Sequence, residues 1–219
     1  MFLHWELPAD AIQKTLPPGL EVDTFEGRAF VGVVAFTMRD VAPWWSPSVP
    51  GVSNFHELNV RTYVHRNGAN PAVWFYSLDA ASSIAVILAR TVWHLPYHRA
   101  SMRIDVSGAE VSYRSRRRWP GPTPAELLVR YEIGAPLGPS APGSLEHFLC
   151  ERYLLYARRG ESLFLGQVHH RSYPLHAARL VDVRASMVTA AGLPAPEGEA
   201  LAHYAPGVDV DVSSLRAVE

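Results

Sequence analysis

The chain has 219 residues, of which 48% are hydrophobic and 19% charged, with a net charge of −1. That is enough apolar material for a sizeable core and too little charge for a disordered chain. Near-neutral charge removes the electrostatic case for nucleic acid, and a single cysteine, Cys150, rules out an intrachain disulfide and fits a reducing compartment.

The opening segment MFLHWELPAD has no basic region, long apolar run or small-residue cleavage site of the kind a secretory signal needs. No stretch has the length of a bilayer span. A soluble cytoplasmic protein is expected. Residues 8–19, from Pro8 to the Pro17-Pro18-Gly19 stop, read as a helix of about two turns with Ile12 and Leu16 on one face. Residues 21–38 read as a hairpin turning at Glu26-Gly27. Residues 44–51 form a Pro/Ser-rich loop that carries Trp44 and Trp45.

The segment HELNVRTYVHR, 56–66, alternates as a strand does. Leu58, Val60, Thr62 and Val64 share one face, and Glu57, Asn59, Arg61 and Tyr63 the other. Residues 72–80 are apolar on both faces and read as a central strand. Residues 82–93 read as a helix capped by Ser82 or Ser83. Strands are expected over 99–106 and 109–118 about a Ser107-Gly108 turn, and over 126–133 between two Pro/Gly loops. Residues 144–153 read as a helix leading into a strand at 153–159, which returns through Arg159–Ser162 as 163–171. A strand over 176–184 and a short helix near 186–193 follow. The expected organisation is one domain over 1–190 and a partly irregular tail over 191–219. Many strands with few helices give an α+β class dominated by antiparallel sheet.

Motif searches mainly exclude. The sequence has no G-x-G-x-x-G, no G-x-x-x-x-G-K-[ST], no G-x-S-x-G, no H-E-x-x-H and no C-x-x-C. His94 and His98 are four apart with Pro96 between them, so they do not make a helical metal pair. No metal and no cofactor is expected.

The segments LPPGLEVDTFEGRAFVGVVAFTM, FHELNVRTYV, VWFYSLDAAS, ARTVWHLPYHRASM, YRSRR, ERYLLY and VHHRSYPL resemble the family called domain of unknown function 2071, or YqjF-like. The resemblance runs from about residue 8 to about residue 180. That family is similar in turn to acetoacetate decarboxylase. The resemblance implies a mostly antiparallel sheet closed into a barrel-like cone with a central cavity and a few peripheral helices. In the decarboxylase a lysine that follows a helix and a proline forms a Schiff base, helped by a neighbouring cation. Here the segment LPYH places Tyr97 at the lysine position and His98 at the helper position. Tyrosine forms no imine, and Lys14 is the chain's one lysine. Schiff-base chemistry is therefore expected to be absent.

The resemblance implies a pocket for a small, anionic, oxo- or carboxylic-acid-like molecule. Arg61 would anchor the anion, Glu57 would act as acid or base, and Tyr97 would polarise an oxygen. Asn59, Tyr63, Arg114 and His170 complete the candidate binding set. Glu57 and Arg61, buried together, are expected to need each other. Simpler readings stand beside these. The polar stripe can be a solvated face, Tyr97 a core tyrosine, Arg114 part of a solvated charge run, and Asp79 a cap or turn residue. Cys150 reads as a small hydrophobe. Three functions fit: a lysine-independent lyase or hydrolase, a non-catalytic small-molecule binding protein, or an interaction protein with a filled cavity. A homo-oligomer is compatible with each, and no membrane partner is expected.

Overall fold

The computed structural model describes residues 1–41, 53–93, 95–121 and 124–218. Trp44, Trp45 and His94 lie outside them. In chain order the elements are β1 (Phe2–Leu7), α1 (Ala9–Gln13), β2 (Glu21–Val22), β3 (Ala29–Met38), β4 (Phe55–Arg66) and β5 (Ala69–Ala80). Then come α2 (Ser83–Leu88), a π-helical turn (Ala89–Trp93), β6 (Tyr97–Ser107), β7 (Glu110–Trp119) and β8 (Glu126–Gly138). The chain ends with α3 (Leu145–Cys150), β9 (Leu154–Arg159), β10 (Ser162–His170), β11 (Leu175–Ala185), α4 (Met187–Ala190), β12 (Leu201–Tyr204), β13 (Val210–Val212) and β14 (Arg216–Ala217).

The strands pair in the order β13-β10-β9-β5-β6-β7-β8-β11-β12-β1-β3-β4-β2, with β14 on β10, and β4 also pairs with β5. The pairings β5–β6 and β5–β9 are parallel, and the others are antiparallel. A parallel neighbour requires a crossover, which α2 and the π-helical turn supply between β5 and β6. β4 turns into β5 through Asn67 (φ 52°) and Gly68 (φ 71°). Both lie in the left-handed region, as a two-residue hairpin turn with the right twist demands.

The alternation of the strands builds two packed faces. Leu3, Trp5, Val31, Val33, Leu58 and Val60 join the larger apolar cluster, which reaches across to Val111, Tyr113, Leu127 and Val129. Phe2, Phe30, Val34 and Tyr63 turn to the opposite face and pack on Leu149, Cys150, Leu155 and Leu175. Val64 leaves both and packs with Leu20, Ala72 and Tyr156. β3 is buried on both faces, which is why AFVGVVAF reads as an unbroken apolar run.

Three elements differ from the sequence expectation. The opening residues, read above for processing signals, form β1, which lies between β3 and β12. The helix expected over 82–93 is regular only to Leu88, after which its hydrogen bonding widens into the π-helical turn before Pro96. Beyond residue 190 the chain contributes β12, which pairs with both β1 and β11, and β13 and β14, which pair with β10. No helix among the described residues is long and apolar enough to cross a membrane.

Candidate functional site

Glu57, Asn59, Arg61 and Tyr63 alternate along β4 and face the α3 side of the sheet, with Phe2 and His4 of β1 beside them. The register Asn59↔Leu78↔Tyr97 brings the first residue of β6 onto this same face. Ser82 caps α2 by accepting from the Ala85 N–H at 3.3 Å. Past the π-helical turn, Arg90 Nη1 donates to the Tyr97 carbonyl at 2.7 Å. These contacts fix where Tyr97 enters the sheet. Its hydroxyl donates to Glu57 Oε2 at 3.0 Å.

Glu57 is 4% exposed. Burial raises its pKa to about 8, although the Tyr97 hydrogen bond favours the anion; the Asp79 charge adds to the rise. Glu57 is thus a carboxylic acid at neutral pH. The Tyr97 hydroxyl is itself pushed well above its ordinary range by burial and by the Glu57 carboxyl. From the other face, Tyr113 donates to the Glu57 backbone carbonyl at 3.0 Å and holds this part of β4 in place.

The expected Glu57–Arg61 pair does not form. Arg61 instead donates through Nη2 to the Leu149 carbonyl at 2.9 Å. Its guanidinium lies 5.8 Å from the Phe2 ring centre and 5.7 Å from that of Tyr63. The physical reason is distance: four residues of extended strand separate the two by about 13 Å, while α3 presents a terminal carbonyl to Arg61. Tyr63, fully buried, donates to the same Leu149 carbonyl at 2.6 Å. Its one hydrogen is then used, so at 2.8 Å it accepts from His4 Nε2. That assigns the Nε2–H tautomer to His4. Burial first, then the charges of Arg61 and His203, lower the His4 pKa and keep it neutral.

The arrangement leaves buried polar atoms without a partner: His4 Nδ1, Asn59 Oδ1 and Arg61 Nε, with His203 Nδ1 nearby on β12. Phe2 pairs in register with His203. Gly32 makes room for this cluster. A Cβ there would lie 3.1 Å from His4 Cδ2 and 3.4 Å from Arg61 Cγ.

The other candidates fall elsewhere. His170 stands at the rim, stacked on Tyr153 at 4.7 Å and tilted against Tyr173 at 4.6 Å. Tyr173 in turn meets Phe2 edge-on at 5.1 Å. Arg114 is not part of the cluster. It is exposed on β7, opposite Arg103, and lines a separate groove of about 510 Å³ with Arg116, Arg118 and Arg184. Among the described residues no three His, Cys, Asp or Glu side chains converge as a metal site requires. His4 and His203 were missed in the sequence. Their signal is weak: each is one histidine in a short apolar segment, and the partners come from distant strands.

The curated protein YqjF of Bacillus subtilis (strain 168) is 35% identical over 218 residues, covering 99% of this chain and 88% of its own. Among solved structures, the enduracididine biosynthesis enzyme MppR complexed with pyruvate superposes with a TM-score of 0.65 at 13% identity, over 99% of this chain and 86% of that one. The acetoacetate decarboxylase of Legionella pneumophila gives 0.64 at 11% identity, over 100% and 83%. At these identities the two structures establish a shared fold and nothing about chemistry. The model of the family described as an uncharacterised conserved protein, domain of unknown function 2071, matches residues 1–209, and the chain belongs to that family.

Proposed function

We propose that this protein binds a small oxo- or carboxylic-acid-like anion between β4 and α3, without Schiff-base chemistry, within a sheet that closes as a barrel-like cone. The pairing of β4 with both β3 and β5 supports the closure. One observation carries the binding reading. Arg61 has no carboxylate partner among the described residues, and its own Nε, like Asn59 Oδ1 and His4 Nδ1, is buried without a partner. Buried polar groups are normally satisfied: Arg61 Nε is a donor and takes a negatively charged acceptor of a ligand, while Asn59 Oδ1 and, in the Nε2–H tautomer, His4 Nδ1 are acceptors and take a hydroxyl or other donor of the same ligand. Arg61 anchors the anion. The protonated Glu57, held by Tyr97, lies further along the same strand face, about 13 Å of backbone from Arg61, and is the candidate proton donor to the far end of a bound substrate. Glu57 and Tyr97 are the catalytic candidates; Asn59, Tyr63 and, at the rim, His170 are the binding candidates.

Pyruvate, the molecule in the MppR complex, is the first probe. Calorimetry is expected to show saturable binding that Arg61→Ala weakens by about ten- to a hundred-fold, the loss of one or more charge-assisted bonds. Tyr97→Phe is expected to weaken it less. Equal affinity in wild type and Arg61→Ala, with melting temperature unchanged, returns Arg61 to a structural anchor for α3. The same assay followed for product formation separates an enzyme from a binding protein.

A further inference from the structure

The segments SLDA, LPYH and YRSRR contribute little to the site above beyond Tyr97. Their remaining polar residues meet on the opposite face of the sheet. Tyr97 and His98 are consecutive on β6 and so point to opposite faces. On the His98 side is a half-open pocket of about 220 Å³, lined by Ser77, His98, Arg117 and Pro120, with Ala190 and Ala191 at the end of α4 and with Tyr76, whose hydroxyl is engaged by Thr15.

The polar chemistry of this space can be assigned group by group. Arg117 Nε and Nη2 each donate to Asp79 at 2.8 Å, and both side chains are almost wholly buried. The one cation is therefore neutralised, and Nη1 takes no part in the pair. His98 Nδ1 lies 2.9 Å from the Pro120 carbonyl. A carbonyl only accepts, so Nδ1 carries the hydrogen and Nε2 is left a bare acceptor. Burial, with the Arg117 charge, lowers the His98 pKa, in keeping with a neutral ring. Ser77 is 3% exposed, and its hydroxyl oxygen is buried without a partner. The space thus offers a hydroxyl and a guanidinium N–H as donors, an imidazole nitrogen as acceptor, apolar walls from Pro120 and the two alanines, and no net charge.

We propose that this space is a second binding site, specific for a small uncharged primary carboxamide. The amide carbonyl accepts from Ser77 and Arg117, and the amide NH₂ donates to His98 Nε2. A carboxylate of the same shape is disfavoured, because burying a charge without a counter-charge is costly and Asp79 has already used the cation. The volume suits a fragment of several heavy atoms. It holds more than one or two waters at ~30 Å³ each, and it falls below the ~300 Å³ at which pockets for drug-sized ligands begin.

Acetamide and acetate are matched probes that differ in charge. In ¹H–¹⁵N NMR titrations of the full chain, acetamide is expected to shift the Ser77, His98, Ala190 and Ala191 amides saturably, in the millimolar range of a small fragment. Acetate at the same concentrations is expected not to. Ser77→Ala should weaken acetamide about five-fold, one neutral hydrogen bond, and Ala191→Leu, which fills the space, should abolish the shifts. Absence of a saturable acetamide shift overturns the proposal, as does acetate binding as tightly as acetamide. Unchanged acetamide binding in Ser77→Ala overturns it too, and that variant serves should Ala191→Leu not fold.

Discussion

Glu57 and Arg61 lie four residues apart on one strand face, about 13 Å of extended backbone, and do not pair. Removing a carboxylate from water costs more than a neutral hydroxyl can return, so Glu57 keeps its proton. The consequence for stability has a definite sign. Between the ordinary carboxylate pKa of 4.5 and the folded value of about 8, the native state holds a proton that the unfolded chain has lost. Stability from this group therefore falls as pH rises through that window, by about 1.4 kcal/mol per pH unit, and is flat on either side. Glu57→Gln removes the titration and keeps a hydrogen-bonding group. The difference in unfolding free energy, wild type minus variant, is expected to fall from pH 5 to pH 8 in urea titrations. A difference independent of pH means that Glu57 is ionised in the fold. At the same scale, Lys14 is exposed at the end of α1, far in kind from the desolvated site a Schiff base needs. Treatment with pyruvate and borohydride should leave Lys14 unmodified in a peptide-resolved mass spectrum. A stoichiometric adduct there contradicts lysine-independent binding.

At the scale of elements, alternation made β4 and its polar stripe readable before any coordinates, and Pro96 marked where a helix gives way to β6. What alternation does not carry is the partner across the face. Arg61 finds the Leu149 carbonyl, 88 residues away, and Tyr63 finds His4, 59 residues away. Such pairings depend on strand order, and the sequence supplies no term for it. β1 gives no period-two signal, because FLHWEL is buried at every position but Glu6. Arg114 was misplaced because a run of arginines looks the same whether it faces a ligand or water. Gly32 is the element-level test of the site. It sits opposite His4 on β1 and Arg61 on β4, and His4 cannot retreat without losing its bond to Tyr63. Gly32→Ala is expected to destabilise by about 1–3 kcal/mol, the cost of overpacking a tight core. The midpoint of urea unfolding measures it. A change within about 0.3 kcal/mol would show that His4 and Arg61 shift freely.

At the scale of the whole molecule, the four residues of β12 link the two stretches of the sheet. β12 pairs with β1 through Phe2↔His203, Leu3↔Ala202 and His4↔Leu201, and with β11 through His176↔Tyr204 and Ala177↔His203. Without it, β1 and β11 each present an open edge, and unpaired edges template association between chains. The segment LAHY gives no periodic signal of its own, and its place is set by the strands on either side. Two truncations separate this role from that of the rest of the tail. Ending the chain after residue 208 removes β13 and β14, which pair only with β10 near the end of the strand order. That variant is expected to stay soluble, with a melting temperature lowered by several degrees. Ending it after residue 199 also removes β12 and His203. That variant is expected to lose its cooperative melt and to elute as aggregate in size-exclusion chromatography. It should also lose pyruvate binding, because the Phe2–His4 side of the proposed site loses its neighbour. Equal behaviour of the two truncations would mean that β1 and β11 hold their places without β12.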